Sequence, residues 1–140
     1  MKLSVIIPIY NETATCPLLI EKVKSVPIQK QIIVVDDCST DGSGDILKEI
    51  DDIELIQHQV NQGKGSAVQS ALPHIKGDFV VLQDGDLEYN PADYEKMLHQ
   101  LENDSADVVY GSRWLHKSTS PSYHTIGNRL ITWFANRLTG

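Results

Sequence analysis

The chain has 140 residues, 41% of them hydrophobic, and a formal charge of −7. That length suits one domain with a core of its own, expected over residues 1–140, and the apolar content excludes wholesale disorder. The acidic balance argues against a nucleic-acid binder working through a broad basic surface, so an anionic ligand would need locally placed donors, a cation, or both.

Leu3 to Ile9 is a near-continuous apolar run, as expected of a strand buried on both faces. The opening MKLSVIIPIYNE is too short for a signal-peptide core with a cleavage site. Thr15 is a candidate cap for a first helix with Pro17 in its first turn; Leu18, Leu19, Val23 and Val26 keep helical spacing, and Pro27 ends it. Gln31 to Val35 reads as a second buried strand that finishes on Asp36-Asp37, and Ser39 to Gly42 is turn chemistry before a short helix marked by Ile46, Leu47 and Ile50. Cys16 and Cys38, the two cysteines, form no C-x-x-C pair and read as thiols in a reducing compartment.

Ile53 to His58 is a short third strand, after which Gly63-Lys64-Gly65 opens a helix. Phe79 to Leu82 is a fourth strand, Asn90 and Pro91 suit a helix N-terminus, and Tyr94, Met97, Leu98 and Leu101 form its apolar stripe. Ala106 to Tyr110 is expected as a fifth strand; Ser118 to Tyr123 reads as a loop and Thr125 to Leu138 as a helix. The ending at Thr139-Gly140 shows no obvious closing element, and no apolar stretch approaches the ~20 residues that span a membrane, so a cytoplasmic location is expected.

Strands alternating with helices predict a doubly wound α/β fold with a mostly parallel sheet, whose ligands bind at the carboxyl ends of the strands. That edge carries Tyr10-Asn11-Glu12, Asp36-Asp37, Asn61 to Lys64, Asp84 to Glu88 and Gly111-Ser112-Arg113. Asp84 and Asp86 flank a glycine that lets them converge, with Glu88 as a third ligand or one acting through water; hard cations take such oxygens, and Mg²⁺ uses one or two carboxylates plus substrate phosphates. Alone, such a pair is most often a solvated acidic turn; at a buried strand end facing other polar strand ends, a cation site is the stronger reading. Asp36 or Asp37 can accept from a base N–H or a ribose hydroxyl, or cap the following turn. Lys64 and Gly65 at a helix start favour an anion, although Val68 stands where a dinucleotide G-x-G-x-x-G motif needs its third glycine. Arg113 suits a sugar or phosphate, or a surface ion pair. The five histidines show no zinc-ligand spacing.

The segments V5-I-I-P-I-Y-N-E12, V34-V-D-D-C-S-T-D-G-S43, N61-Q-G-K-G-S-A67, Q83-D-G-D-L-E-Y-N-P91 and V109-Y-G-S-R113 occur in the order and spacing of family 2 glycosyltransferases. The chain most resembles the polyprenyl-phosphate sugar transferases, among them the dolichyl-phosphate mannose and glucose synthases. The resemblance implies a GT-A fold, a UDP- or GDP-sugar donor, Mg²⁺ or Mn²⁺, and inversion at the anomeric carbon. It implies that Pro8, Tyr10 and Glu12 line the nucleoside pocket, that Asp36 or Asp37 meets the base or ribose, and that Asp84, Asp86 and Glu88 hold the metal. Asp86, Arg113 and Arg129 would carry the catalytic work, with Arg113 near the sugar or acceptor phosphate and Arg129 in a mobile acceptor loop. Gly85 stands where an alanine is more usual in that subgroup, which would loosen the turn.

The expected partners are that donor and a lipid-phosphate or saccharide acceptor, with no nucleic acid. The Trp133/Phe134 patch offers contact with the cytoplasmic face of a membrane, or packs against the domain. The chain resembles a donor-binding half that carries only a partial acceptor-side segment at 113–140, so a catalytically incomplete nucleotide-sugar-binding fragment stands as the alternative, and a nicotinamide-binding Rossmann domain as a further one.

Overall fold

The computed structural model describes residues 2–103 and 106–111. Four strands form one sheet: β1 (Leu3–Ile9), β2 (Lys30–Asp36), β3 (Glu54–Gln57) and β4 (Phe79–Leu82). Their order is β3-β2-β1-β4 and every pairing is parallel. The chain therefore winds outward from β1 through β2 to β3, then crosses to the other side of β1 for β4. The point of reversal, between β1 and β4, is where such sheets leave a crevice.

The helices are α1 (Cys16–Ser25), α2 (Ser43–Lys48), α3 (Lys64–Ala71) and α4 (Tyr94–Asn103), with short 3-10 turns at Leu72–His74 and Pro91–Asp93. Side-chain alternation along β1 sorts the core into two layers. Leu3, Val5, Ile7 and Ile9 pack with Ile32 and Val34 against Leu19, Ile20 and Val23 of α1, Leu47 of α2 and Tyr94 of α4. On the other face Ile6, Ile33 and Val35 pack against Ala67 and Ala71 of α3. Two alanines let α3 lie close over β1 and β2. Phe79 and Val81 join the first layer, whereas Val80 and Leu82, on the opposite face of β4, are 46% and 55% exposed.

The predicted strands and helices up to residue 103 form close to their expected bounds. Thr15 flanks α1, but its side chain caps no helix amide; its hydroxyl turns back to the Glu12 carboxylate and carbonyl. Asn90 caps as expected, its side chain accepting from Ala92 N at 3.2 Å, over the 3-10 turn that leads into α4.

The expected fifth strand does not form: residues 106–111 carry no regular secondary structure. The chain divides into two compact units after Val108, within that expected strand. Two valines and a tyrosine have strand propensity, but propensity without a partner edge and a buried face does not make a strand, and Val108 is 62% exposed. The predicted loop and helix after residue 111, with Arg113, Arg129 and Trp133/Phe134, lie outside the described residues.

Candidate functional site

Hydrogen bonds extend each strand pairing by one residue at the carboxyl edge. Asp37 N donates to Ile9 O, His58 N to Asp36 O and Gln83 N to Ile6 O, each at 2.9 Å. The residues that follow each strand are therefore held side by side. They surround a concavity of about 220 Å³ lined by Pro8 and Ile9 at the end of β1, Tyr10 and Glu12 after it, Asp37 after β2, Lys64 and Ala67 of α3, and Asp84, Gly85 and Asp86 after β4.

Adjacent residues at a strand end point to opposite sides, and this separates the two aspartates of β2. Asp36 is buried and committed elsewhere: Oδ1 accepts from Ser39 N at 3.0 Å and Oδ2 from Gln57 Nε2 at 3.1 Å. Asp37 borders the concavity and grips the next loop. Its Oδ1 accepts from Gln62 N at 2.9 Å and from His58 Nδ1 at 2.6 Å, and its Oδ2 accepts from Gly63 N at 2.7 Å. Burial pushes the Asp37 carboxyl up, but the hydrogen bonds from Gln62, His58 and Gly63 outweigh it and hold the group below the usual carboxylate range. His58 is anchored in turn by Ser70 Oγ, 2.9 Å from its Nε2.

This Ser70–His58–Asp37 array was not anticipated from sequence. Its signal is register: β2 and β3 pair Asp36 with Gln57, so Asp37 and His58 are the next neighbours. The side chains of His58 and Asp37 are only 6% and 4% exposed, so the array works as an internal brace.

The gripped loop delivers Lys64. Gly63 has φ 86°, a left-handed value that suits glycine. Lys64 then starts α3, and its ammonium reaches Asp84 Oδ1 at 2.5 Å. Gly65 is exposed on α3 and does not line the concavity.

The acidic turn sits against the end of β1. A Cβ on Gly85 would lie 2.8 Å from Ile9 Cδ1 and 3.2 Å from Pro8 O. Glycine here is a close-approach residue, so the expectation of a loosened turn is replaced by one pressed onto β1. Behind it, Gln83 is 2% exposed and accepts from Tyr94 Oη at 2.7 Å, tying α4 to the strand end. Asp86 Oδ1 accepts from Glu88 N at 3.0 Å. Among the described residues no three acidic, His or Cys side chains are grouped to hold a metal.

Loops 10–13 and 38–43 are stitched together beside the site. Asn11 Oδ1 accepts from Thr40 N at 2.8 Å, Glu12 N donates to Ser43 Oγ at 2.9 Å, and Thr13 N donates to Asp41 Oδ2 at 3.0 Å. The Ser43 and Thr13 donors hold the Asp41 carboxyl far below its usual range.

Four carboxylates (Glu12, Asp37, Asp84 and Asp86) and one lysine line the concavity. Such a site repels an anion unless a cation comes with it. The Lys64 ammonium on Asp84 shows that this carboxylate takes a cation, and two carboxylates suit a hard divalent ion that completes its shell from phosphates and water. The residues fit such an ion.

A family profile described as Glycosyl transferase family 2 matches residues 4–139. The dodecaprenyl-phosphate galacturonate synthase of Rhizobium johnstonii is 29% identical over 149 aligned positions, covering 100% of this chain and 43% of that protein. The chain thus spans less than half the length of the curated relatives it matches. The structure of S. aureus TarS 1-349 in complex with UDP superposes with a TM-score of 0.68 at 25% identity, covering 87% of this chain and 38% of that one. The mannosyltransferase PcManGT of Pyrobaculum calidifontis, in complex with GDP-Man and Mn²⁺, gives a TM-score of 0.59 at 27% identity, covering 65% and 29%. The parallel sheet with its flanking helices is a GT-A fold, and the chain belongs to glycosyl transferase family 2.

Proposed function

We propose that this chain is the donor-binding part of an inverting glycosyltransferase that moves a sugar from a nucleoside-diphosphate sugar to a polyprenyl phosphate. The observation that carries the reading is the convergence of Asp37, Lys64, Asp84 and Asp86 on one concavity at the reversal point of the sheet. The acceptor class rests on the relative named as a dodecaprenyl-phosphate synthase. The nucleotide rests on the structures solved with UDP and with GDP-Man, which leave both bases in play.

Asp37, with a lone pair left on Oδ2, would accept from the base or ribose, between Tyr10 and the Gln62–Gly63 loop. Asp84 and Asp86 would hold Mg²⁺ or Mn²⁺, which when bound offsets the charge that builds on the leaving diphosphate. Lys64 lies within reach of the same oxygens. Glu88, one turn further, would act through water. A phosphate acceptor has its second pKa near ~6 and is already anionic at neutral pH, so its attack needs positioning more than a general base; Arg113 and Arg129 are proposed for that task. With such an acceptor the reaction would take place at a membrane surface, in this reading its cytoplasmic face; among the described residues no helix is long and apolar enough to cross a membrane.

The test is calorimetry with Mn²⁺ plus UDP or GDP, with NADH as the control, followed by transfer of radiolabelled sugar to a short polyprenyl phosphate. Binding of a nucleoside diphosphate that needs Mn²⁺ and is lost in Asp86→Ala is expected. Binding of NADH alone would overturn the reading. Donor binding without transfer would confine the chain to donor recognition.

A further inference from the structure

The contact between Lys64 and Asp84 is out of keeping with a site waiting for a divalent cation. Lys64 Nζ lies 2.5 Å from Asp84 Oδ1, on one of the two carboxylates suited to a metal. A lysine and a divalent ion on the same oxygen repel, so the two cannot share Asp84 at full strength. The side chain of Lys64 is 60% exposed, on a flexible four-carbon stem, while its backbone is fixed. Asp37 Oδ2 holds the preceding amide, Gly63 N, at 2.7 Å, and Lys64 is the first residue of α3. The backbone before Lys64 is tied to Asp37, while its exposed side chain has room for the ammonium to reach another partner. Among the described residues the other concavity-lining charges are acidic, and Lys64 is the one basic residue. Once Asp84 turns to a metal, the displaced ammonium needs another anion; Asp37 is already engaged by Gln62, Gly63 and His58, Asp86 is the other carboxylate suited to the ion, and the donor diphosphate brings the largest new negative charge into the concavity.

We propose that Lys64 is a placeholder cation: it neutralises Asp84 in the donor-free protein and passes to the donor diphosphate when Asp84 takes up a divalent ion. This rests on the donor-binding reading above and adds a consequence to it. The lysine opposes metal binding in the absence of nucleotide and supports it in its presence. Metal and diphosphate are thereby coupled beyond their direct contact, and by linkage each favours the other by the same factor. The protein would hold little metal until the donor arrives.

The experiment measures Mn²⁺ affinity by electron paramagnetic resonance of the free ion, without nucleotide and with saturating UDP or GDP in separate arms. Lys64→Met is expected to bind Mn²⁺ alone about two- to fivefold tighter than wild type, the range set by an exposed ion pair. The same variant is expected to show a smaller gain in Mn²⁺ affinity on adding nucleotide. Lys64→Arg, which keeps the charge, should retain the wild-type pattern. Lys76→Met, whose ammonium contacts Glu54 rather than the acidic turn, controls for the loss of one positive charge. Lys64→Gln, with circular dichroism as the fold check, serves if the methionine variant misfolds. Unchanged or weaker Mn²⁺ binding in Lys64→Met, or an unchanged gain with nucleotide, would overturn the handover while leaving donor binding intact. Absence of Mn²⁺ binding in every protein, with and without nucleotide, would overturn the donor-binding reading and the handover with it.

Discussion

Replacing Asp37 by alanine removes the acceptor of three donors at once. The bonds from Gln62 N, Gly63 N and His58 Nδ1 measure 2.9, 2.7 and 2.6 Å. Hydrogen bonds to a charged group contribute about 1.5–3 kcal/mol each, so the gross loss is about 5–9 kcal/mol. Much of this returns. The variant no longer buries a carboxylate, and the amides of the exposed Gln62 and half-buried Gly63 recover water. The His58 side chain, 6% exposed, does not, and a buried donor left without a partner costs about 1–3 kcal/mol. The net expectation is a loss of about 3 kcal/mol, a large share of the ~5–15 kcal/mol that domains of this kind possess.

Urea unfolding followed by far-ultraviolet circular dichroism measures it. His58→Ala should cost less in the Asp37→Ala background than in wild type, with a coupling of about 1–2 kcal/mol. A loss below about 1 kcal/mol, or additive single and double variants, would refute the claim that these residues form one brace.

The same carboxylate sets a pH dependence. Because the folded Asp37 titrates below its ordinary value of 3.8, its contribution is fully present above that value and is lost as pH falls through the lowered folded one. The stability gap between wild type and Asp37→Ala should therefore close in acid; a gap unchanged down to pH 2 would contradict it. Tyr94→Phe leaves the buried Gln83 Oε1 without the hydroxyl that donates to it at 2.7 Å, and should cost about 1–2 kcal/mol in the same denaturation assay. Gly85→Ala sets a Cβ 2.8 Å from Ile9 Cδ1. A loss of about 1–2 kcal/mol is expected, partly recovered by Ile9→Val, which removes that methyl; no recovery would place the strain at Pro8 O instead.

What the sequence made legible follows from how much local chemistry each feature contains. β1 and β4 were readable because each is an apolar run with turn residues at its ends, so burial and length both identify a strand. The concentration of acids at one sheet edge followed from the alternation of strands and helices alone. Which of Asp36 and Asp37 meets the concavity was not legible, because it depends on the side each strand end presents, and hence on sheet order. His58 stayed hidden for the same reason: its role exists only through the register of β2 against β3. The expected strand at 106–110 failed in the opposite sense, since its composition was favourable but no strand among the described residues pairs with it. The backbone contact at Glu88 was not legible either, because the turn that brings its amide to Asp86 Oδ1 is set by the conformation of the acidic loop.

The brace and the placeholder are parts of one linkage. Ser70 fixes His58, His58 and two loop amides fix Asp37, and Asp37 through Gly63 N fixes the residue from which Lys64 reaches Asp84. The chain of contacts runs from the end of β2, across the end of β3 and the start of α3, to the end of β4. In the proposed reading the nucleoside meets one end of this linkage and the diphosphate meets the other. Loosening the His58 end therefore lets the Lys64 backbone move, and a lysine without a fixed pivot spends less of its time on Asp84. His58→Ala should thus tighten Mn²⁺ binding in the absence of nucleotide, in the same direction as Lys64→Met and by a smaller factor, although His58 touches neither the acidic turn nor the ion. Because a simple loss of stability weakens ligand binding, tighter Mn²⁺ binding in a destabilised protein distinguishes a lever from a scaffold.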